Sequence, residues 1–219
     1  MAAFLVSGLI VLVIGENPLE VVELLIWGAF GFQEAIGYTL FYTTNFIFTG
    51  LAVAIAFHCM LFNIGGEGQA YIGGLGIAVV GLNLGFLPPI LLIPLCIIGA
   101  GLFGAAWAFI PAYLQAKRGS HIVITTIMFN FIAAALLNYV LVNVLRPAGA
   151  MGPATAKFPA ATNLPTLHEL LAVFGINFSK AAPANVSLII AVLACVGVWA
   201  LIWRTRLGFE IRAFGKSES

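Results

Sequence analysis

The sequence predicts an all-α, polytopic integral membrane protein with about six transmembrane helices and a broken or kinked central segment. The first observation behind this is composition. Of 219 residues, 62% are hydrophobic and only 8% charged, and mean hydropathy is +1.11. A soluble domain carries about 25% charged residues, so this chain cannot cover a water-facing surface and takes the lipid bilayer as its solvent. Disordered chains are poor in hydrophobics, so the same figures exclude disorder. The second observation is that apolar runs near membrane-crossing length recur along the chain. The third is a single break, Phe62–Gln69, in which glycine and polar side chains crowd together. Net charge is +1 and all eight acids are glutamates, with no basic face for nucleic acid. The three cysteines, Cys59, Cys96 and Cys195, lie far apart in apolar runs and read as small buried hydrophobes rather than a disulfide or zinc set.

Taken in order, the run Ala2–Ile14 has the length of a signal-peptide core. It lacks a basic lead-in and a small-residue cleavage site, so it reads as a first helix that is tilted or whose start lies upstream. Asn17-Pro18-Leu19-Glu20 has the pattern of a helix start: an N-cap, proline at the first helical position, and glutamate three residues after the cap. The stretch that follows, to Gln33, mixes Glu20 and Glu23 with Leu24, Leu25 and Trp27, as a helix at the membrane surface would. The second span is expected over Tyr38–Phe62, the third over Ala70–Leu87 and the fourth over Pro88–Gln115. Pro94 and Pro111 should kink or split the fourth. The fifth is expected over Ile122–Leu145 and the sixth over Val186–Trp203, with one short helix, Thr166–Phe174, in the Ala/Pro/Gly-rich stretch between them.

Six crossings place both termini on one side. Lys117, Arg118, Arg204, Arg206, Arg212 and Lys216 then share that face, while Arg146, Lys157 and Lys180 are spread through a long opposite loop. By the positive-inside rule the termini are cytoplasmic, residues 146–185 form an external loop, and residues 204–219 are a cytoplasmic tail.

Two patterns known from soluble proteins are coincidental. Gly99-Ala100-Gly101-Leu102-Phe103-Gly104 fits a dinucleotide fingerprint, yet it sits inside a membrane span with no strand before it and no acid after it. Close helix packing through small residues accounts for it. Gly215-Lys216-Ser217 resembles the end of a phosphate loop, but Glu210 stands where the first glycine belongs. With no aspartate and no paired carboxylate, a membrane enzyme fits poorly, and His58 alone reads as a packing or interfacial residue.

Phe62-Asn63-Ile64-Gly65-Gly66-Glu67-Gly68-Gln69 carries the most information. Each of its three glycines disfavours a continuous helix by roughly 1 kcal/mol. Unwound backbone at membrane depth is tolerated only where protein buries it or water reaches it, and an ionisable residue there is a functional candidate. The equal alternative is a polar turn at the cytoplasmic interface with Glu67 in solvent. Thr126 and Asn130, four residues apart, share one helical face.

The octet resembles the signature of permease subunits of bacterial ATP-binding-cassette importers, in the branch serving simple sugars and nucleosides. Other stretches are similar in the same order: Glu16–Glu20, Thr49–Ala54, Trp107 through Pro111 to Lys117, Val123–Asn130 and Leu207–Ala213. Where many relatives carry Asn-Glu before Val-Ile, this chain has Ser120-His121-Ile122. The resemblance implies alternating access in the bacterial plasma (inner) membrane. It also implies a cytoplasmic ATP-binding subunit that carries the hydrolysis, a second permease subunit and an external substrate-binding protein. No cofactor is implied, and the resemblance implies a transport subunit rather than an enzyme. Asn63, Gly65, Gly66, Glu67, Gln69, Thr126 and Asn130 are expected to shape the path or its gate, and Glu210 and Arg212 to lie on the coupling side. Family members continue past Arg212 into a coupling helix and further spans, so the chain is expected to be the N-terminal part of a permease, truncated or split. Two competing readings stay open: a stand-alone secondary transporter with Glu67 or His58 carrying protons, and a membrane fragment that does not transport.

Overall fold

The structure, a computed structural model, describes residues 2–217. Its helices are α1 (Ala2–Ile14), α2 (Pro18–Phe30), α3 (Gln33–His58), α4 (Gly66–Asn83), α5 (Pro89–Arg118), α6 (Ile122–Asn143), α7 (Leu167–Ala172), α8 (Ser187–Arg204) and α9 (Arg206–Lys216), with one 3-10 turn at Ala160–Thr162. Local chemistry sets several of the boundaries. Asn17 Oδ1 accepts from Leu19 N at 3.0 Å and its amide donates to Glu20, while Pro18 opens α2, as the sequence pattern requires. Thr166 and Glu169 form a reciprocal capping box that starts α7.

Contacts group the chain into two compact units. The first combines Met1–Asn45 with Pro165–Ala191, the second Phe46–Leu164 with Val192–Ser219; α3 and α8 contribute to both. Within the first unit α1 packs on α2, Gly37 sits against Ala182, and Leu167 N donates to Ala184 O at 2.8 Å. The second unit is built around α4, which packs most heavily on α5 and then on α6. Ile72 and Leu75 of α4 are buried with Ala133 of α6, beside Trp107, Leu137 and Val140. The α4–α5 crossing depends on small residues. A Cβ on Gly76 would lie 2.5 Å from Gly99 O and 3.0 Å from the Phe103 Cβ. The fingerprint-like run is therefore a helix-packing seam.

Four described helices (α3, α5, α6 and α8) are long and apolar enough to cross a membrane. Of the six expected spans, the other two correspond to α1, with 13 residues, and α4, with 18 residues but a polar first turn. Three expectations gain detail, the first being that span four is kinked or split. Helix α5 runs unsplit from Pro89 to Arg118 through both internal prolines, since proline removes one donor and need not end a helix whose neighbours pack it. The stretch read as a tail contains α9. The break near Glu67 ends at Gly65, so Gly66 and Gly68 are helical.

Candidate functional site: a clamped helix break

The break between α3 and α4 is made by three local devices. The first ends α3: Met60 N donates to Phe57 O and Leu61 N to Ala56 O, the paired bonds of a Schellman motif. Met60 occupies the left-handed position at φ 58°, where Gly15 and Gly175 serve at the ends of α1 and α7. The second is an Asx turn in which Asn63 Oδ1 accepts from Gly65 N at 2.8 Å. The third comes from α6. Thr126 Oγ1 accepts from Ile64 N at 3.3 Å, Asn130 Nδ2 donates to Ile64 O at 2.9 Å, and Asn130 Oδ1 accepts from Gly68 N at 2.9 Å.

Ile64 thus has both backbone groups satisfied by side chains one turn apart on α6. Gly68 N is one of the first-turn donors that a helix leaves unpaired. Asn130 caps it from a neighbouring helix, as an N-cap residue normally would from within. Such proximity needs glycine: a Cβ on residue 68 would lie 2.9 Å from Asn130 Oδ1 and 3.1 Å from Asn130 Cα.

Beside the break lies a cavity of about 130 Å³. Asn63, Gln69 and Thr126 supply its polar lining, and Ala108, Pro111 and Ala112 of α5 its apolar wall. Glu67 does not line it. Its carboxylate is exposed in the first turn of α4 and accepts from the Tyr71 hydroxyl at 2.8 Å. The structure therefore brings together Asn63, Gly65, Gln69, Thr126 and Asn130, and sets Glu67 on a different face of the same turn. Tyr71 and Met60 were missed by sequence reasoning. The only signal for Tyr71 is its spacing of four from Glu67.

Two hydroxyls of α3 are satisfied within their own helix. Thr43 and Thr44 donate to the carbonyls of Thr39 and Leu40, four residues back. On the expected coupling side, Glu210 pairs with Arg206 at 3.3 Å, while Arg212 turns inward. The Arg212 guanidinium lies 4.5 Å from the Trp203 ring centroid, its Nε donates to Gly208 O, and Trp203 meets the His58 ring edge-on.

Comparison with known proteins places the chain in a family. Over its whole length the chain is 32% identical to the glucose ABC transporter permease protein TsgB13 of Haloferax volcanii. It is 36% identical over 95% of its length to the guanosine ABC transporter permease protein NupP of Bacillus subtilis. It is 35% identical over 97% of its length to the nucleoside ABC transporter permease protein NupB of Lactococcus lactis. It spans 57% of the length of each of these relatives. No solved structure matches the chain. Residues 35–219, from α3 onward, match the family described as the permease component of branched-chain amino acid transport systems. The chain is a multi-pass membrane protein and belongs to that permease family, a family of transport subunits rather than enzymes.

Proposed function

We propose that the chain forms part of the membrane path of an ATP-binding-cassette importer for simple sugars or nucleosides. The relatives named for glucose, guanosine and nucleosides support this substrate class over the amino acids in the family's description. A cytoplasmic ATP-binding subunit, a second permease subunit and an external binding protein complete the assembly, in a bacterial plasma membrane with both chain termini cytoplasmic. Asn63, Gly65, Gly66, Glu67, Gln69, Thr126 and Asn130 form the gate region, and Glu210 and Arg212 stand on the coupling side.

The observation that carries this reading is the helix break itself. A segment held by side chains from α6, rather than by a continuous helix ladder, can change conformation at the cost of a few hydrogen bonds. Solute can then pass without α3 or α4 being remade. The exposed Glu67 carboxylate stands in the first turn of α4, directly after that segment, and accepts a hydrogen bond from Tyr71. An uncharged, hydroxyl-rich solute suits a path whose polar groups are amides and hydroxyls.

The test is uptake of radiolabelled glucose and guanosine by the assembled transporter carrying Glu67→Gln. Uptake should fall at least several-fold while membrane insertion stays normal. Unchanged uptake removes Glu67 from the mechanism. Uptake that follows a proton gradient and ignores ATP hydrolysis overturns the importer assignment.

A further inference from the structure

Helix α9 lies across the ends of two other helices rather than continuing α8. Thr205 caps its start by accepting from Gly208 N at 3.1 Å. The buried face of Gly208 meets the carbonyls of Leu201 and Ile202, and Gly215 meets the carbonyl of His58 at the end of α3. These two glycines are seven residues apart, hence on one face and about 10 Å apart along the axis. Arg212, between them, points the same way onto Trp203. The neighbouring stripe is Leu207, Ile211 and Phe214, again at helical spacing. Its two ends are open, Leu207 being 54% and Phe214 66% exposed, while Ile211 between them is half-buried. The far side presents the Arg206–Glu210 pair, with the Arg206 side chain 94% exposed.

We infer that α9 is an interfacial helix that binds anionic glycerophospholipid, seating Leu207 and Phe214 at the acyl boundary and the surrounding cations at the phosphates. Three observations converge on that occupant. Helix α8 is apolar enough to cross a membrane and ends at Arg204, so α9 sits at headgroup level. Trp199 and Trp203 sit at that same end, each beneath an arginine, as aromatic residues at a membrane–water boundary do. Residues 204–216 hold four basic side chains (Arg204, Arg206, Arg212 and Lys216) against the single acid Glu210. An apolar stripe flanked by such an excess of cations fits a negatively charged lipid surface.

The experiment is native mass spectrometry of the purified full chain equilibrated with equal amounts of phosphatidylglycerol and phosphatidylcholine. The wild type should retain phosphatidylglycerol several-fold over phosphatidylcholine. The triple variant Arg204→Gln/Arg206→Gln/Lys216→Gln should lose that preference, the ratio of the two lipids falling to about one, because each basic residue near an anionic surface favours the charged lipid. Leu207→Ser/Phe214→Ser should lower retention of both lipids and keep the preference. Equal retention of the two lipids by the wild type, which needs no variant to fold, overturns the proposal. So does an unchanged preference in the triple variant. Amide exchange in α9 that is slowed by an added ATP-binding subunit but not by phosphatidylglycerol vesicles assigns the stripe to a protein partner and also overturns it. None of these outcomes bears on solute uptake through the break.

Discussion

Asn130 holds the break by imitating a peptide group: its carboxamide gives one donor to Ile64 O and one acceptor to Gly68 N. Asn130→Ala leaves both backbone groups unpaired, at about 1–3 kcal/mol each where they are shielded from water. The expected outcome is a lower unfolding midpoint in detergent and faster amide exchange confined to residues 61–69. Thr126→Val removes a single acceptor, that for Ile64 N, and should cost about 1 kcal/mol. An Asn130→Ala protein with unaltered exchange in the break would remove the clamp from the account. Met60 gives a prediction of opposite sign. A non-glycine residue in the left-handed region costs roughly 1–2 kcal/mol, so Met60→Gly should stabilise the end of α3 in the same unfolding assay. The Thr126–Asn130 pair was legible in the sequence as two polar residues one turn apart on an apolar helix. Its partner was not, because Ile64 lies more than 60 residues away and offers only backbone, which leaves no mark in residue type.

At the scale of elements, the α4–α5 crossing separates glycines that a packed neighbour requires from those that none does. Gly76 faces the Gly99 carbonyl, whereas Gly101, on the same helix as Gly99, has nothing within 4 Å of where a Cβ would stand. Gly76→Val should therefore push the helices apart and sharply lower the yield of monodisperse protein in size-exclusion chromatography. Gly101→Val should leave it unchanged. Equal behaviour of the two variants would mean that the crossing is not a stability determinant. The seam was legible from small residues inside an apolar span, and the caps at Asn17 and Thr166 from their spacing to Glu20 and Glu169. The position of the break was displaced because helix propensity alone counts each glycine against the helix. Gly68 is instead helical, since the approach of Asn130 repays its flexibility. Helix α5 remained whole for a related reason: propensity rules describe an isolated helix, and Pro111 is buried against neighbours that support it.

For the whole molecule, the issue is whether α4 crosses the membrane, since its polar first turn keeps it out of the group of helices that qualify by length and apolarity. The second compact unit bears on this directly. Met60, Leu61 and Phe62 at the end of α3 line one cleft together with Gln115, Gly119, Ser120 and His121 at the α5–α6 turn. Gly215 of α9 lies against His58 at that same end. Three connections separated by the α4–α5 pair and the α6–α8 pair thus meet in one place, so each pair must make an even number of crossings. Helix α5 qualifies as a span by itself, so α4 must cross as well. It does so shielded by α5 and α6, and its buried face of Gly73, Gly76 and Gly81 needs little lipid-facing hydrophobicity. Cysteine scanning tests this once Cys59, Cys96 and Cys195 are replaced by serine. Single cysteines at Met60, Ser120 and Ser217 should react with a membrane-impermeant maleimide from one side of sealed vesicles, and a cysteine at Thr155 from the other. The basic residues Lys117, Arg118, Arg204, Arg206, Arg212 and Lys216 lie with the first three positions, so that side should be the cytoplasmic one. Labelling of Met60 and Ser120 from opposite sides would show that α4 does not cross, and the break would then be a surface turn.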